Sequence, residues 1–233
     1  MEFEEWEPVY EAICRDFGYD RAGDERARDC LASLSDDVGL SQLSSVRDAT
    51  VVVAGAGPSL TEPDELERVS TGDVVFAAST AVDVLESNGV DVDCMVTDLD
   101  KNPETVRRLT ERGTPVAVHA HGDNLEAIRE VVPDCDAEYV LPTTQAEPYG
   151  PVKNVGGFTD GDRAAFLADR LGADRLTFVG WDFDDESVDE PKAQKLECAE
   201  RLLYWLERRR NDRFDVLDGR RGAIDTDAIP LPE

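Results

Sequence analysis

Short, continuous apolar runs alternate along this chain with segments whose apolar residues recur every three or four positions. Residues 50–54 (Thr-Val-Val-Val-Ala) and 74–78 (Val-Val-Phe-Ala-Ala) are runs of the first kind, the pattern of strands covered on both faces. Similar runs follow at 92–96, 115–118, 138–141 and 176–180. Between them lie helical segments through Ala81, Val82, Val84 and Leu85, over 104–112, through Leu125, Ile128 and Val131, and from Ala164 to Leu171. A last helix opens at Pro191 and carries Leu196, Ala199, Leu203 and Leu206. Strands alternating with helices in this way predict an α/β fold, a mostly parallel Rossmann-like sheet with helices on both faces. Ahead of it, Phe3, Trp6, Val9, Tyr10, Ile13 and Phe17, then Ala27, Leu31 and Leu34, predict two helices broken near Gly18-Tyr19-Asp20. The expected division is a helical N-terminal preface, 1–45, and a main α/β domain, 46–233. Trp6, Tyr10 and Phe17 read as core anchors.

The polar residues concentrate where strands end, the edge at which parallel sheets bind ligands. The strand over 92–96 runs into Thr97-Asp98-Leu99-Asp100. On an extended backbone Asp98 and Asp100 project to one side and Leu99 to the core. Two carboxylates so close repel unless a cation neutralises them, and Mg2+, which prefers oxygen ligands and bridges carboxylates to phosphates, suits the pair. A solvated acidic turn is the plain alternative. The first strand ends in Gly55-Ala56-Gly57-Pro58-Ser59-Leu60. Its glycines permit close approach of a ligand, and Pro58 suits the start of a helix whose free N–H groups attract phosphate. The third glycine of a dinucleotide fingerprint and the Gly-Lys-Ser/Thr of a Walker loop are both missing, so a tight strand-to-helix turn explains the motif equally well.

The strand over 115–118 delivers His119-Ala120-His121-Gly122-Asp123-Asn124, which holds the only two histidines. They make a weak zinc signal and a better phosphate-holding or loop-positioning one. Asp123 and Asn124 face a ligand or cap the next helix. The segment Asn154-Val155-Gly156-Gly157-Phe158-Thr159-Asp160-Gly161-Asp162-Arg163 exceeds what capping by Thr159 or Asp160 requires. Asp182, after the last core strand, lies within reach of the other strand-end carboxylates. Lys192 and Lys195, one turn apart, suggest contact with an anion, against the alternative of surface ion pairs.

Composition sharpens this reading. With 52 acidic against 24 basic residues the formal charge is −28, which repels nucleic acid and anionic membranes. Only four basic residues are lysines, Lys101, Lys153, Lys192 and Lys195. An acidic, lysine-poor chain resembles the cytosolic proteins of salt-accumulating archaea, in which molar salt screens the self-repulsion. Five widely spaced cysteines show neither disulfide nor zinc spacing. The acidic N-terminus and lack of a long apolar segment predict a soluble, cytoplasmic protein. A homo-oligomer is compatible with the sequence but not specified by it.

In order along the chain, the Gly55–Leu60, Thr97–Asp100, His119–Asn124 and Asn154–Arg163 motifs, with Lys192 and Lys195, resemble the archaeal 6-hydroxymethyl-7,8-dihydropterin diphosphokinase family, of the type with a thiamine-pyrophosphokinase-like domain. The resemblance spans roughly Val51 to Leu206. It implies that residues 46–233 form a nucleotide-binding catalytic domain moving diphosphate from ATP to a reduced pterin, with AMP as the other product, on the way to a folate or methanopterin coenzyme. On that reading Asp98 and Asp100 hold Mg2+, completed by Asp123 or Asp182. Gly55, Gly57, Pro58 and Ser59 meet the nucleotide. Arg163, Lys192 and Lys195 stabilise the transferring group. His119, His121, Asn124, Asn154, Gly156, Gly157, Thr159 and Asp160 contact or orient a substrate. A thiamine pyrophosphokinase, a nucleotide-sugar glycosyltransferase and a non-catalytic nucleotide-binding module are the competing readings.

Overall fold

The apolar runs form strands where their two-sided burial requires. In the computed structural model, which describes residues 1–38 and 40–232, they are β1 (Thr50–Ala54), β2 (Val74–Ala78), β3 (Cys94–Thr97), β4 (Val116–Ala120), β5 (Val140–Thr144) and β7 (Arg175–Val179). A two-residue β6 (Lys153–Asn154), too short to leave a periodic signal, completes one sheet of order β6-β5-β4-β3-β2-β1-β7. Every neighbouring pair in it is parallel. β5 begins later than its sequence suggests because Asp136 accepts the Glu138 N–H at 3.1 Å and folds Ala137–Tyr139 into a 3-10 turn. The strand runs on through Thr143 and Thr144.

The helices are α1 (Phe3–Phe17), α2 (Arg21–Leu34), α3 (Pro63–Val69), α4 (Ala81–Ser87), α5 (Pro103–Glu111), α6 (Leu125–Val131), α7 (Asp160–Leu171) and α8 (Glu190–Arg210). Pro63 and Pro103 open theirs where a missing N–H is harmless. Gly172 ends α7 with a left-handed φ of 88°. Alternation along each strand divides the core. Val51, Val53, Phe76, Val96, Leu176 and Phe178 face one layer with α1, α7 and α8. Val52, Ala54, Ala77, Met95 and Val118 face the other, with α2 to α6. The two preface helices thus join opposite layers: Trp6 and Tyr10 enter the first cluster, Ala27 and Leu31 the second.

From β1 to β6 the chain steps steadily across the sheet, then returns through α7 to place β7 against the other side of β1. The direction of winding reverses at β1, and that reversal opens a crevice beyond its carboxyl end. α7 and α8 run from this edge and are fastened together at their far ends. Asp169 of α7 receives both Arg209 and Arg210 of α8 at 2.8 Å, and Arg209 also reaches Glu5 of α1 at 2.7 Å.

Candidate active site

β3 stops at Thr97, and the backbone does not continue extended as its sequence suggests. Leu99 adopts a left-handed φ of 68°, and its side chain is buried. The Leu99 N–H bonds Thr97 Oγ1 at 3.0 Å and the Asp100 N–H bonds Asp98 Oδ1 at 3.2 Å. A non-glycine residue in this region stores about 1–3 kcal/mol. Asp98 and Asp100 therefore converge through a tight turn, not through strand alternation. Asp160, the first residue of α7, joins them: one oxygen from each of the three lies within 4.8 Å of the others. Asp123 and Asp182, expected to complete this group, do not. Asp182 Oδ2 accepts the Ser59 N–H at 2.9 Å, and Asp123 stands exposed on a neighbouring cavity.

Crowding shapes the charges. Burial opposes ionisation of Asp98, yet the His121 ring, with Nε2 3.4 Å from Asp98 Oδ2, and the adjoining Asp100 carboxyl outweigh it and hold Asp98 well below the usual carboxylate range. Burial and the Asp98 charge push Asp100 up, while burial and Asp98 push Asp160 higher still. Carboxylates this close push one another's pKa values apart, because they resist ionising together. Arg163 supplies positive charge from beneath. Its guanidinium is only 2 % exposed, bonding Asp160 Oδ1 at 3.0 Å and the Phe158 carbonyl at 2.6 Å. It braces the carboxylate, and it does not reach out to a transferring group as its sequence position suggests.

The carboxylates look into a cleft of about 260 Å3 at the winding reversal. Lys101, Lys192 and Lys195 line it, and among the described residues none of the three has a carboxylate within 4.0 Å, whereas Lys153 pairs with Asp37 at 2.9 Å. Three of four lysines in a −28 chain therefore face one cleft. Trp181, Val188, Leu196 and Ala199 add apolar lining. Ser79, left-handed at φ 49°, also lines it, and its buried Oγ has no partner among the described residues. Lys101, Ser79 and Trp181 escaped the sequence reading. The scarcity of lysine marks Lys101, but nothing local marks the others.

Gly55 and Gly57 also line the cleft, though their smallness answers to a neighbouring strand end. A Cβ on Gly55 would lie 2.6 Å from the Gly180 carbonyl, and one on Gly57 2.7 Å from it. Their N–H groups bond the Val179 and Gly180 carbonyls, each at 2.9 Å. With the Ser59 N–H on Asp182, these donors are occupied within the protein, and Pro58 opens a single 3-10 turn, Pro58–Thr61, in place of the expected α-helix. The glycines lock β1 to β7 and shape the cleft floor, and their own N–H groups are committed to that contact.

Several other candidates prove to be ties. Asn124 Nδ2 bonds the Asp98 carbonyl at 2.7 Å and the His119 carbonyl at 2.6 Å, and its Oδ1 accepts the His121 N–H at 3.0 Å. Asn154 does the same for its own loop, through the Gln145 and Ala146 carbonyls and the Gly156 N–H. Gly156 and Gly157, at φ 84° and 86°, bend that loop toward α7. Thr159 lines the cleft while its N–H and hydroxyl bond Asp162. His119 is fully buried with Nδ1 3.2 Å from Thr143 Oγ1. Burial, with Arg163 and His121 nearby, keeps its pKa far below the usual imidazole range. Of the two histidines only His121 touches the carboxylates.

An oxygen-rich trio and three lysines with no carboxylate within 4.0 Å among the described residues line one cleft at a doubly wound switch point, chemistry that suits a hard cation and an anion. A family model described as "6-hydroxymethylpterin diphosphokinase MptE-like" matches residues 32–187. The chain belongs to the MptE-like family. Two curated relatives, from Pyrococcus furiosus and Methanothermobacter thermautotrophicus, are each 38 % identical, covering 94 % and 92 % of this chain and 99 % of their own lengths. A third, from Methanocaldococcus jannaschii, is 30 % identical over 88 % of this chain and 96 % of its own. All three are named 6-hydroxymethyl-7,8-dihydropterin pyrophosphokinase. The MptE-like match takes in β1 to β7, with the carboxylates and the glycine floor, and stops just before α8 and its lysines.

Proposed function

We propose that this protein transfers the terminal diphosphate of ATP to the hydroxymethyl oxygen of 6-hydroxymethyl-7,8-dihydropterin. The names of its relatives support the substrate. The observation that carries the reaction class is the Asp98–Asp100–Asp160 trio facing Lys101, Lys192 and Lys195 across one cleft. The trio offers only hard oxygen donors, the chemistry of a Mg2+ site, and its mutual repulsion is relieved by such an ion. Asp98, Asp100 and Asp160 would hold such an ion, which would supply positive charge to phosphate oxygens.

The rest is the work of the chain. The apolar lining at Trp181, Val188, Leu196 and Ala199 suits the nucleotide base. Lys101, Lys192 and Lys195 draw the triphosphate across the carboxylates and meet the negative charge that gathers on it. Arg163 and the Leu99 turn hold the acids in position before any ligand arrives. The hydroxymethyl oxygen forms a bond to the β-phosphorus, and the bond from that phosphorus to the oxygen leading to the α-phosphorus breaks. AMP leaves with that oxygen and the hydroxyl proton passes to water. The product belongs on the route to a folate or tetrahydromethanopterin coenzyme. The acidic surface and free cysteines favour a reducing, salty cytoplasm, and no described helix is long and apolar enough to cross a membrane.

Incubation with ATP, Mg2+ and the dihydropterin in high salt tests the proposal. Equimolar AMP and pterin diphosphate are expected. Release of ADP, or of no nucleotide product, would overturn it.

A further inference from the structure

A second cavity, of about 190 Å3, adjoins the cleft and shares Asp98, Phe158 and Lys195 with it. Whatever fills the smaller cavity therefore abuts Asp98, which also faces the cleft. Its walls come from distant parts of the chain: Tyr19, Asp20 and Gly23 of the preface, and His121, Gly122 and Asp123 after β4.

The junction of these walls is built closely. Gly23 and Gly122 meet so tightly that a Cβ on Gly23 would lie 3.3 Å from the Gly122 Cα. Beside them Asp24, 3 % exposed, accepts the Gly122 N–H at 2.8 Å, the Tyr10 hydroxyl at 2.7 Å and Gln145 Nε2 at 2.8 Å. That last bond orients Gln145, which is 4 % exposed and lines the cavity. Its amide nitrogen is committed to Asp24, and its side chain also lies against the buried His119 ring, where it favours the protonated form. The amide oxygen carries two lone pairs, so at the cavity wall it can still take a ligand N–H. The Asp123 carboxylate adds a second acceptor, and the rings of Tyr19 and Phe158, with centroids 6.1 Å apart, add flat apolar surface.

The geometry points to this cavity as the seat of the hydroxymethyl acceptor, with the pterin ring against Phe158 and Tyr19 and its pyrimidine N–H groups on Gln145 and Asp123. A reduced pterin fits the chemistry. Its pyrimidine edge offers a ring N–H and an amino group to walls that supply acceptors, its plane matches the aromatic rings, and its hydroxymethyl arm extends toward Asp98. The preface is then a substrate wall, and Asp24 is a positioning residue acting through Gln145. This assignment rests on the diphosphokinase reading.

Binding of fluorescent 6-hydroxymethylpterin to the full chain in high salt, alongside steady-state kinetics, tests it. Gln145→Leu should weaken pterin binding and raise the pterin KM about tenfold, with the ATP KM unchanged. Asp123→Asn, at an exposed position that leaves folding untouched, should raise the pterin KM about threefold. If wild-type protein turns over the pterin but Asp123→Asn and any folded Gln145→Leu keep its pterin KM, or raise the ATP KM equally, the pocket assignment falls alone. If wild-type protein releases no AMP, the diphosphokinase reading falls with it.

Discussion

The turn after β3 and the loop after β4 lie side by side and are joined by Asn124, yet their polar groups face different partners. In the first, the Asp98 and Asp100 carboxylates bond, among the described residues, their own turn and His121, and they line the cleft. In the second, Asn124 is consumed by three backbone groups and His119 is sealed against Thr143. One cluster is held ready for a ligand at the expense of backbone strain and charge repulsion. Its neighbour supplies the rigidity that keeps it there. A polar residue at a strand end is thus a site residue or a tie according to whether the backbone beside it still needs a partner.

The sharpest way to break this contrast is to exchange the two kinds of damage. Asp98→Asn should lower turnover about a thousandfold, the several kcal/mol that a bound divalent ion supplies, with little change in melting temperature. Near-normal turnover would remove Asp98 from the site. Asn124→Ala should instead cost about 2 kcal/mol of stability, because three buried backbone groups lose their partner. An unshifted urea midpoint would show that the loop holds itself.

Acid probes the sealed side. Folded His119 resists protonation, whereas in the unfolded chain it titrates near its ordinary value of about 6.5. Its contribution is complete above that pH and declines as pH falls, by about 1.4 kcal/mol per unit. His119→Gln should flatten the melting-temperature profile between about pH 6.5 and 5.5, and an unchanged slope would assign the acid sensitivity to other groups. The smallest effect separates the lysines: Lys195→Met should raise the ATP KM about fivefold, while Lys153→Met, outside the cleft, should leave it alone. Equal effects would deny the cleft its preference for anions.

The same contrast explains what could be read in advance. The α/β class, both preface helices and the main strands follow from periodicity, because burial on two faces writes itself into runs such as 50–54 and 74–78. The nearness of Asp98 to Asp100 is also legible, being local. The third carboxylate is not, since Asp160 arrives from a helix that crosses the opposite face of the sheet, and Asp123 and Asp182 look equally suitable in one dimension. Gly55 and Gly57 suggest a phosphate loop because a glycine needed for a ligand and one needed for Gly180 are written with the same letter. Asn124 and Asn154 mislead for a related reason: their hydrogen-bond partners are backbone groups that no spacing reveals, whereas the Arg163–Asp160 pair, three residues apart on one helix, is local and legible.

The clamp between α7 and α8 gives these ends a further meaning. Asp160 stands at the near end of one helix and Lys192 and Lys195 near the start of the other, while Asp169, Arg209 and Arg210 fasten the pair far behind. The pin lies 14 to 18 residues along α8 from Lys195 and Lys192, roughly 21–27 Å. Between pin and cleft the helices also share core packing, Phe166 stacking on Trp205 with ring centroids 5.7 Å apart. Asp169 is thus the far end of a long seam that fixes how the acid-bearing and lysine-bearing helix starts lie relative to each other.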